Sequence, residues 1–276
     1  MEGYEVVKVF NNNVVLAKKE DIEYILIDRG IGFNTKKGEK ILKDAFEKVF
    51  ILESDIKDKF TQLISRTDKE IVGVCEEVIN MISKEYDNLN KDIHIKLVDH
   101  IAFAVKRIKE KDEIENPFLT EIETLYTKEY EIAKRAASLI EERLNIKIPE
   151  GEIGFIALHI NAAKSKESLS NTIKSAYICN SIAEIIEDEL KIEIDRKSID
   201  YARFVTHIKF TIHRVINNIP IKNELKASIK RKYKESYRIA KLVVEFLEKE
   251  LDQKISDDEV AYIAMHIEKL KNRALF

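Results

Sequence analysis

Val98-Asp99-His100-Ile101-Ala102-Phe103-Ala104-Val105-Lys106-Arg107 and Val205-Thr206-His207-Ile208-Lys209-Phe210-Thr211-Ile212-His213-Arg214 are one stretch written twice. His100 falls on His207 (207 − 100 = 107), and His159 falls on His266 at the same displacement. The overlay runs on without gaps through Tyr130 on Tyr237, Leu144 on Leu251, Glu152 on Glu259 and Ala157 on Ala264. Two copies of one domain explain this. Upstream of His100 the register slips by three residues, since Cys75 pairs best with Cys179, and a loop change absorbs it.

The repeats do not use all 276 residues. About 60 residues precede them, with four of the seven glycines (Gly3, Gly30, Gly32, Gly38) and no proline, which marks a separate small domain. The net charge of −3 gives the chain as a whole no polycation character and counts against a simple basic patch, and the 35% of charged residues are mixed in sign, as on solvated helix faces. Cys75 and Cys179 sit at matching places among apolar residues and read as core thiols. The start Met1-Glu2-Gly3-Tyr4-Glu5 lacks the pattern of a signal peptide, and no run approaches the ~18 apolar residues of a membrane span, so a cytoplasmic protein without membrane insertion is expected.

Short β-branched segments fill the N-terminal part. Strands are predicted over Val6 to Phe10, Val14 to Lys18, Tyr24 to Asp28 and Lys48 to Leu52, with turns at Asn11-Asn12-Asn13, where Asn tolerates positive φ, and at Glu20-Asp21. An all-β module of this size buries little core alone, so dimerisation through it is expected. After Ser54 the apolar period becomes helical. Thr67 with Glu70 and Ser256 with Glu259 read as capping boxes, and Pro149 marks the start equivalent to Ser256. Asn116-Pro117 and Asn218-Ile219-Pro220 interrupt the copies, and Lys164 to Thr172 links them. The predicted fold is multidomain α+β: a small all-β domain over 1–56, then two homologous all-α helical bundles of about five helices each, over 65–168 and 172–276.

Four of six histidines obey the repeat, while His94 and His213 fall on Tyr201 and Lys106. Each repeated histidine could be a satisfied core residue, as the apolar neighbours of His159 allow. A metal site would want His-x-x-x-His or Glu-x-x-His, and neither occurs, so no metal or cofactor is expected. A Ser-His-Asp enzyme would want a Gly-rich oxyanion turn, and the helical part has only Gly73, Gly151 and Gly154, so no catalytic residue is assigned. Acceptance of a phosphoryl group from another protein needs a reachable imidazole nitrogen and a cation nearby. Arg107 and Arg214 follow the first histidine of each copy by seven residues, two helical turns, and are the candidates to neutralise phosphate; glutamate pairing is the alternative. Glu152 and Glu259 read as helix N-terminal residues.

Leu97-Val98-Asp99-His100-Ile101-Ala102-Phe103-Ala104 and Arg203-Phe204-Val205-Thr206-His207-Ile208-Lys209-Phe210 resemble the first-histidine motifs of phosphotransferase-system (PTS) regulation domains, and Leu158-His159-Ile160 and Met265-His266-Ile267 the second. Lys8-Val9-Phe10-Asn11-Asn12-Asn13-Val14, Arg29-Gly30-Ile31-Gly32-Phe33, Lys36-Lys37-Gly38 and Glu47-Lys48-Val49-Phe50 resemble the co-antiterminator RNA-binding domain of the BglG/SacY/LicT antiterminators. The resemblance covers nearly the whole chain in that family's domain order.

It implies a homodimer that binds an antiterminator hairpin in nascent mRNA of a sugar-utilisation operon and prevents terminator formation. It also implies phosphorylation at His100 and His159 through the sugar-specific PTS permease (its EIIB domain), which inactivates. Phosphorylation at His207 and His266 by the phosphocarrier HPr would activate. Lys8, Asn13, Arg29, Gly30 and Phe33 become the RNA-contact candidates: amide for base edges, ring for stacking, cations for phosphates. Asp28 departs from the family's usual small residue, and a carboxylate there opposes phosphate unless it turns away or pairs with Arg29. Thr206 in place of Asp99 is a second asymmetry. The competing readings are a DNA-binding activator carrying the same regulation domains, which needs a helix-turn-helix at the N-terminus, and a histidine-dependent helical enzyme.

Overall fold

The computed structural model describes residues 3–274 except 21, 43–45, 47, 53 and 113, and the backbone alone at 52, 54 and 55. Asp21 of the expected Glu20-Asp21 turn, Glu47 of the family-like motif, and the extreme ends of the expected 1–56 and 172–276 domains lie outside the described residues. The chain folds into two compact units: Met1–Asn116 with Lys128–Ser168, and Pro117–Thr127 with Leu169–Phe276.

The first unit opens with strands β1 (Gly3–Asn11), β2 (Val14–Lys19), β3 (Ile22–Ile27), β4 (Lys40–Leu42) and β5 (Lys48–Leu52). They form one antiparallel sheet in the order β4-β1-β2-β3-β5. β4 is the strand that alternation does not predict, because three residues show no period. The β1–β2 turn does not use positive φ at any of its three asparagines; instead Asn11 Oδ1 accepts from the backbone N–H of Asn13 at 2.8 Å, an Asx turn.

Helices α1 (Ser54–Arg66), α2 (Lys69–Ser83), α3 (Ile93–Glu110), α5 (Thr127–Leu144) and α6 (Glu150–Ser165) complete this unit. The sheet does not stand alone here. Phe10 meets the fully buried Phe60 of α1 edge-on at 6.5 Å, and burying such a ring contributes ~2–3 kcal/mol. Asn11 Nδ2 donates to Glu77 of α2 at 2.7 Å, and Phe50 packs on His94 of α3 at 4.7 Å. His94 in turn holds the buried Glu76, Nδ1 to Oε2 2.7 Å. Gly73 of α2 is required at this contact, since a Cβ there would come within 2.5 Å of the Asn11 amide. The cap of α2 is Asp68, whose carboxylate accepts from Glu70 N at 2.8 Å, and not Thr67: the carboxylate, one residue later, outcompetes the hydroxyl.

The second unit is built from α7 (Leu169–Leu190), α8 (Ile199–Ile216), α9 (Lys226–Lys232), α10 (Lys234–Leu251) and α11 (Asp257–Ala274). Their apolar faces, from Ile178 and Cys179 through Phe204, Val243 and Ile267, enclose one core. Ser198 caps α8, its hydroxyl accepting from Tyr201 N at 3.1 Å. A sixth helix, α4 (Leu119–Leu125), belongs to this unit although it lies in the first repeat, where it is the counterpart of α9. Its Glu121, 2% exposed, accepts from Arg196 Nη1 at 2.9 Å and from the hydroxyl of the fully buried Tyr201. Arg196 also reaches Glu187 at 2.8 Å and Asn180 at 2.7 Å. Among the described residues no helix is long and apolar enough to cross a membrane.

Candidate functional site

In each unit the two repeated histidines meet. His100 on α3 and His159 on α6 have ring centroids 4.9 Å apart, tilted by 32°. His207 on α8 and His266 on α11 stack at 4.7 Å and 29°. The pairing therefore lies within each repeat. Helical geometry makes it possible: the first histidine sits mid-helix facing the last helix of its own bundle, flanked by buried Val98, Ile101, Val205 and Ile208. Phe155 and Tyr262, equivalent by the repeat, close the first histidines at 5.9 and 5.8 Å.

A buried carboxylate completes each cluster. Glu152, in the first turn of α6, lies with Oε2 3.2 Å from His100 Nε2 and accepts from Arg107 Nη2 at 2.6 Å. Glu259, in the first turn of α11, lies 3.7 Å from His207 Nε2 and is gripped by Arg214 at 2.6 and 2.9 Å. Arg107 and Arg214 are each paired with the glutamate that lies against the first histidine, which is the alternative their spacing left open beside phosphate neutralisation. Burial works to raise the Glu152 carboxyl, but His100 and Arg107 hold it below its ordinary value.

The second ring of each pair is neutral at neutral pH. Burial, then the like charge of His100, pushes His159 down to about 3; burial, then His207, pushes His266 to about 4. Burial also lowers His207, against the pull of Glu259. A neutral imidazole keeps a lone pair for phosphorus, and a guanidinium within reach can take the incoming charge. The side chains of the first histidines are 15% and 16% exposed, but their Nε2 atoms are buried against the glutamates, and a surface hollow lined by Tyr233, Met265, His266, Glu268, Lys269 and Asn272 reaches His266. Among the described residues no group of three His, Cys, Asp or Glu is arranged to hold a metal ion. Asp99, beside His100, is bound by Arg66 of α1 at 2.8 Å; Thr206 has no such carboxylate to offer.

Glu152 and Glu259 are the residues whose role the sequence pattern misplaces. Glu259 starts α11 but turns to Arg214 and His207 rather than back to Ser256. Their signal was present: an arginine and a glutamate 45 residues apart, repeated in register with the histidines.

A second cluster forms at one end of the sheet. The β3–β4 loop folds back on the β1–β2 turn, with Asp28 N to Asn13 O at 3.1 Å, Gly30 N to Asn13 Oδ1 at 3.1 Å and Gly32 N to Asn12 O at 2.9 Å. Gly30 has φ +81, a conformation that favours glycine, and Gly32 is needed for the close approach itself, since a Cβ there would come within 2.1 Å of Asn11 O. Asn13, Arg29, Gly30 and Phe33 are thereby brought together, and Phe33 stands 65% exposed. Lys8 is not with them: its ammonium donates to Ile64 O of α1 at 3.0 Å. Asp28 turns its carboxylate to the backbone N–H of Arg29, at 2.6 Å.

Comparison with known proteins bears on both clusters. Residues 4–59 match the CAT RNA binding domain, and 76–163 and 180–270 match the PRD domain. Transcription antiterminator LicT of Bacillus subtilis is 33% identical over 98% of this chain and 100% of its own length. Protein GlcT of Staphylococcus saprophyticus is 37% identical over 97% of each chain. A crystal structure of GlcT CAT-PRDI, 42% identical, superposes with a TM-score of 0.51 over 59% of this chain and 99% of that one.

Proposed function

The chain belongs to the BglG/LicT family of transcription antiterminators, with a CAT RNA-binding domain and two PRD domains, and on that premise we propose that it is a phosphorylation-controlled switch on an mRNA hairpin. As a member of that family it is a regulatory protein and not an enzyme. Its RNA-binding module is a sheet at the N-terminus, where the DNA-binding alternative needs a helix-turn-helix.

The observation that carries this reading is the duplicated cluster: two imidazoles in contact, with an arginine held to the carboxylate that lies against the first of them, in both repeats. His100, His159, His207 and His266 are the phosphoryl acceptors, served by HPr and by the EIIB domain of a sugar permease. Conversion of an imidazole to an anionic group is a large local change, able to repack the bundle around it. In the RNA-binding domain Asn13, Arg29, Gly30 and Phe33 contact the hairpin, Phe33 offering a stacking face and Asn13 a base-reading amide. Lys8 joins them only if its bond to Ile64 O is released. Exposed apolar residues on the two edge strands, Leu42 on β4 and Val49 and Ile51 on β5, support homodimerisation of this domain.

The test is a gel shift of the full chain with the antiterminator hairpin from upstream of its own operon, before and after phosphorylation by HPr. His100→Ala and His207→Ala should change affinity in opposite senses. Equal binding by all forms, phosphorylated or not, would refute the switch.

A further inference from the structure

The carboxylate shared by histidine and arginine is held differently in the two repeats. In the second, Arg214 grips Glu259 with two parallel hydrogen bonds, Nε to Oε1 at 2.6 Å and Nη2 to Oε2 at 2.9 Å. Thr211 Oγ1 adds a third, to Oε2 at 3.1 Å. In the first repeat a single bond of 2.6 Å, Arg107 Nη2 to Oε1, holds Glu152. Ala104 stands where the repeat places Thr211, and Arg107 Nε and Glu152 Oε2 are buried without a hydrogen-bond partner. Glu152 Oε2 correspondingly drifts to 3.2 Å from His100 Nε2, off the line of a hydrogen bond, while Glu259 stays 3.7 Å from His207.

We infer that Glu152 and Glu259 are positioning residues that keep Arg107 and Arg214 in reserve for a phosphoryl group on the first histidine, and that Thr211 makes that release harder in the second repeat. The inference rests on the histidine phosphorylation proposed above and concerns how readily each copy accepts. In the transfer step the carboxylate moves aside to uncover Nε2, which is buried against it; the Nε2 lone pair then attacks phosphorus, the donor's N–P bond breaks with its electron pair returning to the donor nitrogen, and the acceptor ring keeps its Nδ1 proton. The new phosphoryl oxygens enter the shell that the carboxylate now fills. Two anions compete for one guanidinium in a buried site, and the phosphoryl group brings more charge and three acceptor oxygens. Arginine passes to the phosphoryl group, and the glutamate turns away or takes a proton. A carboxylate held by one bond yields sooner than one held by a bidentate arginine and a hydroxyl. His100 is therefore the ready acceptor and His207 the reluctant one.

Phosphoramidate, a small donor that needs no docking surface, tests this on the full chain, with occupancy of each histidine followed by mass spectrometry and the linkage nitrogen by ³¹P and ¹⁵N NMR. In the unmodified protein His100 should fill ahead of His207, both through Nε2. Thr211→Ala should speed His207 about threefold and Glu259→Gln about tenfold, as loss of a neutral and of a charge-assisted bond imply. The change should lie in the rate at saturating donor and not in the donor concentration at half-saturation, and Glu259→Asp should restore slow transfer. Ala104→Thr should slow His100. Thr211→Ala removes one buried hydroxyl and decides the matter if Glu259→Gln fails to fold. Rates at His207 unchanged in Thr211→Ala, or linkage through Nδ1, overturn the inference. If no histidine takes phosphoryl from phosphoramidate or from HPr, the proposed function itself fails; phosphorylation at rates indifferent to these variants defeats only the role of the glutamates and Thr211.

Discussion

Replacing Glu121 with alanine should destabilise the second compact unit, although Glu121 lies in the first repeat. Its carboxylate is 2% exposed and accepts from Arg196 and from Tyr201, which is completely buried. Removing one partner of a buried ion pair costs ~3–5 kcal/mol, because a charge and here also a phenol are left without their acceptor. Arg196 keeps Glu187 at 2.8 Å and Asn180 at 2.7 Å, which places the loss at the lower end, ~3 kcal/mol. For a unit of this size that is a fall in Tm of about 10 °C. Glu121→Gln retains an acceptor without the charge and should cost about half as much. Urea unfolding measures the loss, and hydrogen exchange locates it: protection should fall in α7 and α8. A Glu121→Ala protein within ~0.5 kcal/mol of the original, or one whose lost protection lies in α2 and α3, would refute the reasoning.

Acid should unfold the helical bundles early. His159 and His266 have folded pKa values of about 3 and about 4, below the unfolded value near 6.5, so the unfolded chain binds more protons below that value. Stability is unaffected above pH 6.5 and falls as the pH drops towards 4, by up to ~1.4 kcal/mol per pH unit for each ring; His159→Gln should flatten the slope of urea midpoints between pH 7 and 5. Phe33→Ala should weaken hairpin binding by ~1–3 kcal/mol with an unchanged melting curve, because the ring is 65% exposed, whereas Gly32→Ala should lower both, its Cβ meeting Asn11 O. Burial pushes the Cys75 and Cys179 thiols up, so maleimide should label neither in native protein and both in urea.

The repeat and the change of period after Ser54 made the architecture readable, since both depend on local spacing. The strand β4 escaped because three residues carry no period, and the cap of α2 was misplaced by one because Thr67 and Asp68 are both good caps. At the histidine clusters, types and spacing identified every imidazole and arginine. They could not show which carboxylate each arginine would find, because Glu152 is brought to Arg107 by the packing of α6 on α3 and not by either helix alone. Lys8 shows the same limit: its motif predicts RNA contact, while its ammonium is bonded to α1. The sidedness of α4 was likewise out of reach, because α4 and α9 occupy matching places in sequence and pack in different surroundings.

That excursion of residues 117–127 bears on how such a chain can be cut, shuffled or inherited. A duplicated gene segment is commonly treated as a cassette, to be excised at the linker or exchanged with a homologous piece. Here a boundary drawn at 166–168 would strand Glu121 on one fragment and its partners Arg196 and Tyr201 on the other. Chimaeras joined at that linker should fold well only when both halves descend from one parent, or when the donor's helix carries a carboxylate at the place of Glu121. The two repeats arose as copies, yet they are heritable only as a matched pair.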